Sequence, residues 1–143
     1  MENFIIKELT TKEEIISAYP IINQIYSEMT LDQYHLYIDE MVARSDYKMI
    51  GAFLDNKLVG VSGYMILLMI YCGRYIQLSN LVVDKNYRGL KIGTKIIHHI
   101  ENIGRQLECQ KVILESYTEN KKSHSLYFNE GFHIRGFHFM KSL

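Results

Sequence analysis

The sequence predicts a mixed α/β fold, in which a mostly antiparallel sheet of six to seven strands is flanked by about four helices. Two observations lead to this prediction. Apolar residues recur at helical spacing up to about residue 44, at strand spacing from residues 48 to 83, and at helical spacing again after residue 90. The order of strand, helix and strand between about residues 75 and 116 is typical of a parallel crossover in a layered α/β domain.

The bulk composition limits the classes of function. The chain has 143 residues, which is enough for one core and too few for two, so residues 1–143 are expected to form a single domain. The 16 basic residues balance the 16 acidic ones. This balance argues against a dedicated nucleic-acid binder, whose affinity comes mostly from phosphate neutralisation.

The termini and the cysteines suggest a compartment. The first residues, MENFIIKEL, lack the long apolar core of a signal peptide, and the longest apolar run, Tyr64 to Cys72, is far shorter than the ~20 residues that span a bilayer. Cys72 and Cys109 lie far apart, without metal-ligand spacing. We therefore expect a cytoplasmic protein with reduced thiols, no membrane partner and no metal.

The first third of the chain reads as a strand followed by two helices. Phe4 to Leu9 alternates weakly and predicts a strand. Thr11 and Glu14 form a capping box that opens a helix, and Pro20 should kink or restart it. The apolar face of this helix is expected to continue through Ile15, Ile16, Tyr19, Ile22, Ile25, Tyr26 and Met29. A second capping box, Thr30 with Gln33, opens a helix that runs to about Arg44.

The middle and the end of the chain alternate between strands and helices. Three strands joined by tight turns are predicted at Lys48–Leu54, Lys57–Ile70 and Tyr75–Val83. The turn Asp55-Asn56 is a hairpin signal, and Gly60 and Gly63 are candidates for bulge sites. A helix then begins near Leu90. It is followed by a strand at Lys111–Ser116, a helix at Asn120–Glu130 ended by Gly131, and one or two closing strands in Phe132–Met140.

The turn between the third of these strands and the following helix has the chemistry of an anion site. The first N–H groups of a helix have no internal acceptor, and the helix dipole adds partial positive charge. Gly89 and Gly93 allow a ligand to approach the backbone, while Arg88 and Lys91 add formal charge. A phosphate-bearing ligand is one interpretation, and a plain turn that happens to contain two glycines is the other.

Two blocks of sequence together resemble a known family. The stretch LVVDKNYRGLKIG is similar to motif A of the GNAT superfamily of acyl-CoA-dependent N-acetyltransferases, and NKKSHSLYFNEGF resembles the C-terminal block of that family. The order of the elements and the length of the chain agree with the resemblance, which covers essentially the whole chain. It implies a GNAT-like fold and the use of acetyl-CoA as acyl donor.

The resemblance also implies the roles of individual residues. The backbone of Leu81, Val82 and Val83 should pair with the pantetheine arm like an added strand, which requires the strand at Tyr75–Val83 to diverge from that at Lys111–Ser116. Tyr127 should protonate the leaving thiolate, and Asn120 should bind the cofactor by a hydrogen bond. Backbone amides should wrap the pyrophosphate at Arg88, Gly89, Leu90, Lys91, Ile92, Gly93 and Thr94.

The sequence departs from the family pattern at two positions that matter. Lys91 stands where the motif has its first glycine, and we expect it in the first helical turn with its side chain pointing outward. Gln77 stands where one branch of the family has a glutamate, and an amide cannot take a proton at neutral pH. Glu115, His35, His124 or a chain of water molecules are alternative bases. His133 and His138 have no acidic partner evident from the sequence.

The acceptor implied by the resemblance is a primary amine on a small molecule or a peptide. Tyr26, Met29, Tyr34 and Tyr37 cluster where this superfamily often lines its acceptor pocket, although a role in the core is the alternative. A non-catalytic CoA-binding or regulatory module of the same fold remains a second hypothesis, and transfer of a longer acyl chain a third. The protein is expected to be a monomer or a homodimer.

Overall fold

The structure is a computed structural model that describes residues 3–143. These residues separate into two compact units, one ending at Ile113 and the other spanning Leu114–Leu143.

The first unit contains a five-stranded sheet in the order β1-β2-β3-β4-β5. The strands are β1 (Phe4–Leu9), β2 (Lys48–Leu54), β3 (Lys57–Met69), β4 (Gly73–Val83) and β5 (Lys111–Ile113). Neighbouring strands are antiparallel except β4 and β5, which are parallel. The helices of this unit are α1 (Lys12–Ile16), α2 (Tyr19–Ile22), α3 (Leu31–Ser45) and α4 (Ile92–Gln106), with a 3-10 turn at Lys85–Tyr87. The prediction of a mixed, mostly antiparallel sheet is confirmed.

The helix starts follow the capping chemistry of the sequence. Both predicted capping boxes are formed, by Thr11 with Glu14 and by Thr30 with Gln33. Each box satisfies two backbone N–H groups that the helix itself cannot. Pro20 lies in the first turn of α2, where a missing N–H costs nothing, so the proline restarts the helix.

The second of these short helices ends at Ile22, whereas the sequence predicted helix up to Met29. The physical reason is local competition for carbonyl groups. The Asn23 side-chain amide donates to the carbonyl oxygens of Tyr26 and Met29, both at 3.1 Å, and the Tyr19 hydroxyl donates to the same Met29 carbonyl at 2.8 Å. These bonds close residues 23–29 into a compact loop instead of further helical turns.

The sheet is covered on both faces. Leu9, Ile15, Ile22 and Tyr34 belong to the buried cluster that packs α1, α2 and α3 on one face. On the other face α4 buries a stripe of isoleucines, Ile92, Ile96, Ile97 and Ile100, each at most 1% exposed. Two layers of helix around one sheet bury the apolar side chains of both sheet faces, as the predicted layer architecture requires.

One irregularity in β4 reverses the direction of its side chains. Ser79 pairs with Gly63 and Val82 with Val61, so Asn80 and Leu81 together stand opposite a single residue of β3. Asn80 has a left-handed backbone, with φ of 55°. An extra residue of this kind is a β-bulge, and it shifts every later side chain to the opposite face of the sheet.

The surrounding contacts show the effect of the bulge. Before it, Ile76 faces α4, since its side chain lies 3.0 Å from a Cβ built on Gly104. Strict alternation would place Val82 on the same face, but Val82 belongs to the cluster under α1–α3. β4 thus contributes to both halves of the core.

The second unit contains α5 (Lys121–Asn129) and a C-terminal segment. Gly131 has φ of 88°, which confirms its predicted role as the left-handed residue that ends the helix. The closing strands predicted in Phe132–Met140 are not found, so the described residues contain five strands rather than six to seven. The segment is rich in phenylalanine, but strand propensity alone does not form a strand without a hydrogen-bonding neighbour.

Replacing Gly63 by alanine should destabilise the fold, because the added methyl group would overlap the Tyr47 ring. Overpacking of this kind costs about 1–3 kcal/mol, which urea unfolding followed by circular dichroism would measure. Gly136→Ala is the matched control, since a Cβ built there has no neighbour within 4 Å. Its free energy of unfolding should stay within ~0.5 kcal/mol of the parent protein. Equal stability of the two variants would contradict the role of Gly63.

Candidate active site

The segment after β4 is fixed to the sheet by short hydrogen bonds. The Asp84 N–H donates to the Val59 carbonyl at 2.9 Å, and the Asp84 carboxylate accepts from the Asn86 N–H at the same distance. The Lys85 N–H donates to the side chain of Gln24 at 2.9 Å, which ties the turn to the loop after α2. These hydrogen bonds therefore hold the backbone in place where the turn with the predicted anion site begins.

The turn that follows leaves its backbone accessible. Gly89 has φ of 84°, and a Cβ built on it has no neighbour within 4 Å, so its backbone faces open space. Arg88, Leu90 and Lys91 are exposed as well. The N–H groups of residues 92–94 lie in the first turn of α4 and have no acceptor within the helix. This arrangement can bind an anionic group through backbone N–H groups and the helix dipole.

Lys91 lies just before α4, which corrects its predicted place within the first helical turn. It is the N-cap residue and has a left-handed backbone, with φ of 58° and ψ of 24°. Its side chain makes no capping hydrogen bond. In this region the Cβ crowds the following carbonyl oxygen, so a glycine would be unstrained where the lysine is not. The left-handed backbone at this position thus explains why the family motif has a glycine there, which the sequence pattern alone does not show.

The neighbouring part of β4 has one free side within the first unit. The parallel pairing with β5 covers only Tyr75, Ile76 and Gln77, and it ends where Gln77 meets Ile113. Residues 78–83 continue beside β3 but have no partner strand on the β5 side. Within the described residues of the first unit, Leu81–Val83 thus have no paired strand on this side, which is the condition that pairing with an extended ligand requires.

A cavity of about 260 Å³ lies on the α1–α3 side of β4. Its described lining consists of Ile22, Tyr26, Met29, Tyr34, Tyr37, Ile38, Met41, Met49, Ser79 and Asn80. The four residues that the sequence placed either at an acceptor pocket or in the core, Tyr26, Met29, Tyr34 and Tyr37, all belong to this wall. Tyr34 is also deeply buried, so the two interpretations are not exclusive for it.

A chain of hydrogen bonds holds the bulge at the edge of this cavity. The Tyr26 hydroxyl donates to Asn80 Oδ1 and Asn80 Nδ2 donates to the Tyr47 hydroxyl oxygen, both at 3.2 Å. Burial raises the pKa of Tyr47 to about 12, so its hydroxyl stays protonated. Burial also raises the pKa of Tyr34, whose hydroxyl donates to the Ile15 carbonyl at 2.8 Å. Tyr34 and Tyr47 therefore keep their protons near neutral pH and act as hydrogen-bond donors and acceptors.

The second unit carries the residues of the C-terminal block. Asn120 is the N-cap of α5, and its Oδ1 accepts a long hydrogen bond, 3.5 Å, from the Ser123 N–H. Tyr127 lies on α5, with its ring edge-on to the Phe132 ring at 6.0 Å between centroids. The Tyr127 carbonyl accepts from the Phe132 N–H at 3.0 Å, which fixes the end of the helix. The roles predicted for Asn120 and Tyr127 remain predictions.

The candidate bases are distributed over both units. Glu115 is paired with His138, with 2.8 Å between Oε2 and Nδ1, although no acidic partner for this histidine is evident from the sequence. The two residues are 23 positions apart in the chain, so no local pattern shows the pair. His124 contacts the Tyr117 carbonyl at 2.8 Å, and His35 lies half-buried on α3. Gln77 Nε2 makes only a marginal contact, 3.5 Å, with the Leu78 carbonyl.

Residues 3–143 lack two features that would point to other functions. No helix of the described chain is both long enough and apolar enough to cross a membrane. No group of three or more histidine, cysteine or acidic side chains in the described chain is placed to hold a metal ion.

The chain is similar to known acetyltransferases in sequence and in fold. The model of the acetyltransferase (GNAT) family matches residues 13–132. The uncharacterised N-acetyltransferase YhdJ of Bacillus subtilis (strain 168) is 24% identical over 136 residues, covering 94% of this chain and 96% of that protein. Glucosamine 6-phosphate N-acetyltransferase 1 of Dictyostelium discoideum is 30% identical over 113 residues, covering 78% of this chain and 62% of that protein.

A solved structure extends the likeness to the fold. An aminoglycoside N-acetyltransferase in complex with CoA superimposes with a TM-score of 0.79, covering 98% of this chain and 95% of that one. The sequence identity is 17%, so this likeness concerns the fold alone.

Replacing Lys91 by glycine should stabilise the protein slightly. Relief of the left-handed strain is worth ~1–2 kcal/mol, and the greater freedom of glycine in the unfolded chain offsets about 0.5–1 kcal/mol of it. Urea unfolding should show a net gain of about 0.5–1 kcal/mol. Lys91→Ala removes the charge but keeps the strain, and its stability should stay within ~0.5 kcal/mol of the parent. A loss of stability in the glycine variant would rule out this account of the turn.

Proposed function

Because this chain belongs to the GNAT family of acetyltransferases, we propose that it transfers an acetyl group from acetyl-CoA to a primary amine of a small molecule or a peptide. One observation carries the proposal. The free side of β4 leads directly into the anchored turn with accessible N–H groups at the start of α4. An extended arm that ends in a pyrophosphate matches these two features in sequence. CoA has this shape, and a protein of similar fold has been solved with CoA bound.

The cofactor would be held mainly by the backbone. The turn and the first turn of α4 would bind the pyrophosphate through N–H groups of Arg88, Gly89, Leu90, Lys91, Ile92, Gly93 and Thr94. Leu81, Val82 and Val83 would pair with the pantetheine arm on the side that β5 leaves uncovered. The side chains of Arg88 and Lys91 are exposed and add charge beside the phosphates. Asn120 would donate from its amide nitrogen, since its oxygen already caps α5.

The reaction needs few groups. The neutral amine attacks the acetyl carbonyl carbon, and a backbone N–H near Val82 stabilises the negative charge that develops on the carbonyl oxygen. The carbon–sulfur bond then breaks, and Tyr127 protonates the departing thiolate. The nitrogen that attacked loses its extra proton to solvent or to a base, and Tyr127 regains a proton from solvent. The products are an acetamide and CoA.

The organisation of the protein is part of the proposal. The family match runs from residue 13 to residue 132 and so includes parts of both compact units. This supports one N-acetyltransferase domain over residues 1–143. We place it in the cytoplasm, as a monomer or a homodimer.

A non-catalytic CoA-binding module is the second candidate function. Gln77 favours it, because the residue stands where one branch of the family has a glutamate and an amide cannot act as a base. Cofactor binding without turnover across a broad panel of amines would favour this alternative. Release of CoA thiol that depends on an added amine would favour the enzyme.

Acetyl-CoA and CoA should both raise the melting temperature of the protein by mass action. At a concentration 100 times the Kd, a ligand stabilises the folded state by about 2.7 kcal/mol, which corresponds to a shift of several degrees for a domain of this size. Differential scanning fluorimetry measures the shift. Pantetheine lacks the pyrophosphate and should produce a much smaller shift in melting temperature. No shift at millimolar acetyl-CoA would contradict both candidate functions.

Tyr127→Phe should lower turnover without weakening cofactor binding. The ring and its packing on Phe132 are kept, while the proton donor is lost. A general acid contributes on the order of 100-fold or more, so kcat should fall by about that factor while the Kd for acetyl-CoA stays within about twofold. Tyr117→Phe is the control, because this tyrosine is exposed in the same unit. An unchanged kcat for Tyr127→Phe would remove its assigned role.

A further inference from the structure

We propose that the cavity on the α1–α3 side of β4 selects the acceptor, and that the acceptor is a primary amine carrying a compact, uncharged, aromatic or otherwise apolar body. This inference rests on the proposed function and adds the chemical class of its substrate. The cavity volume of about 260 Å³ lies just below the ~300–1,000 Å³ typical of ligand pockets, so the body that fills it is small.

The lining determines the chemistry of the body. Three tyrosines, Tyr26, Tyr34 and Tyr37, and three methionines, Met29, Met41 and Met49, supply most of the wall. Tyrosine rings prefer offset or edge-on contacts with another ring. Methionine thioethers adapt to its outline and make favourable contacts with aromatic edges. A wall of this composition favours an aromatic body over a hydrated one.

Charge argues in the same direction. None of the described residues that line the cavity is acidic or basic. A phosphate would need an arginine, a lysine or a helix N-terminus, and a second ammonium group would need a carboxylate. Two of the lining hydroxyls are already occupied, that of Tyr34 by the Ile15 carbonyl and that of Tyr26 by Asn80. An acceptor with many hydroxyl or ammonium groups would thus lose its hydrating water molecules on entering the cavity without gaining equivalent hydrogen-bond partners.

The position of the cavity connects it to the proposed chemistry. Ser79 and Asn80 form part of its wall and directly precede Leu81–Val83, the segment assigned to the pantetheine arm. A body seated among the tyrosines would therefore hold its amine close to the bulge, where β4 passes the acyl end of the cofactor. The rim is formed by Tyr37, which is 52% exposed and so borders the entrance.

The acceptor inferred here differs from that of a similar protein. The name of the Dictyostelium relative specifies glucosamine 6-phosphate, a phosphorylated amino sugar. The described lining of this cavity contains no cationic side chain for that phosphate. Sequence similarity to that enzyme therefore predicts a different acceptor from the one that the cavity predicts, and the two can be tested against each other.

The test compares matched amines with the full chain and saturating acetyl-CoA. The panel is 2-phenylethylamine, ethylamine, spermidine and glucosamine 6-phosphate, with CoA thiol release and mass spectrometry of the product as readouts. We expect kcat/KM for 2-phenylethylamine to exceed that for ethylamine by about 100-fold or more, since one methylene in an apolar pocket is worth ~10-fold or more. Spermidine and glucosamine 6-phosphate should be poorer than 2-phenylethylamine.

Paired variants locate the effect at the cavity. Tyr37→Asp places a carboxylate at the rim, and Leu36→Asp places one on the adjacent, exposed position of α3, outside the described lining. Tyr37→Asp should lower kcat/KM for 2-phenylethylamine at least tenfold, while Leu36→Asp should leave it unchanged. The melting-temperature shift with acetyl-CoA should be the same in both variants, which shows that each is folded and binds the donor.

Three outcomes would overturn the inferred acceptor class. Turnover of glucosamine 6-phosphate or spermidine above that of 2-phenylethylamine overturns the inference and leaves the acetyltransferase intact. Equal effects of the two aspartate variants on 2-phenylethylamine also overturn it. Binding of acetyl-CoA without turnover of any of these four amines overturns the inference, while the enzymatic function is decided separately by the broad panel of amines.

Discussion

The left-handed backbone of Asn80 in β4 is the constraint on which the proposed site depends. A residue with a side chain adopts this conformation at a cost of about 1 kcal/mol, although asparagine tolerates it better than most. Here Tyr26 and Tyr47 hold the Asn80 amide from both ends, and Gly63 leaves room for the Tyr47 ring. Without the bulge, Val82 would face α4 and the core under α1–α3 would lose it.

The two ends of β4 differ in their neighbours. At Tyr75–Gln77, β4 pairs with β3 on one side and with β5 on the other. Beyond Gln77, the pairing described within the first unit is with β3 alone, and the proposed cofactor would pair with the opposite side. The hydrogen bond from Asp84 to Val59 then fixes the turn that follows. Both parts of the proposed cofactor site are therefore positioned by the sheet itself, before any ligand binds.

Local chemistry made much of this fold predictable. The capping boxes at Thr11 and Thr30 and the glycine at 131 act over a few residues, so a short stretch of sequence specifies them. Other features depend on distant partners. The end of α2 depends on the Met29 carbonyl, the bulge depends on Tyr47, and the pairing of Glu115 with His138 joins residues far apart in the chain. The motifs predicted where a cofactor would lie, but the cavity appears only when helices and sheet are assembled.

The three methionines of the cavity wall have a chemical consequence beyond packing. Oxidation converts a thioether into a sulfoxide, which is polar and chiral. A sulfoxide at Met29 or Met41, both only partly buried, would place an unsolvated dipole against the tyrosine rings. The wall that favours an apolar body would then favour water. Peroxide exposure would thus change the preference of the cavity while leaving the backbone groups around the turn at Gly89 chemically intact, and methionine sulfoxide reductases would restore it.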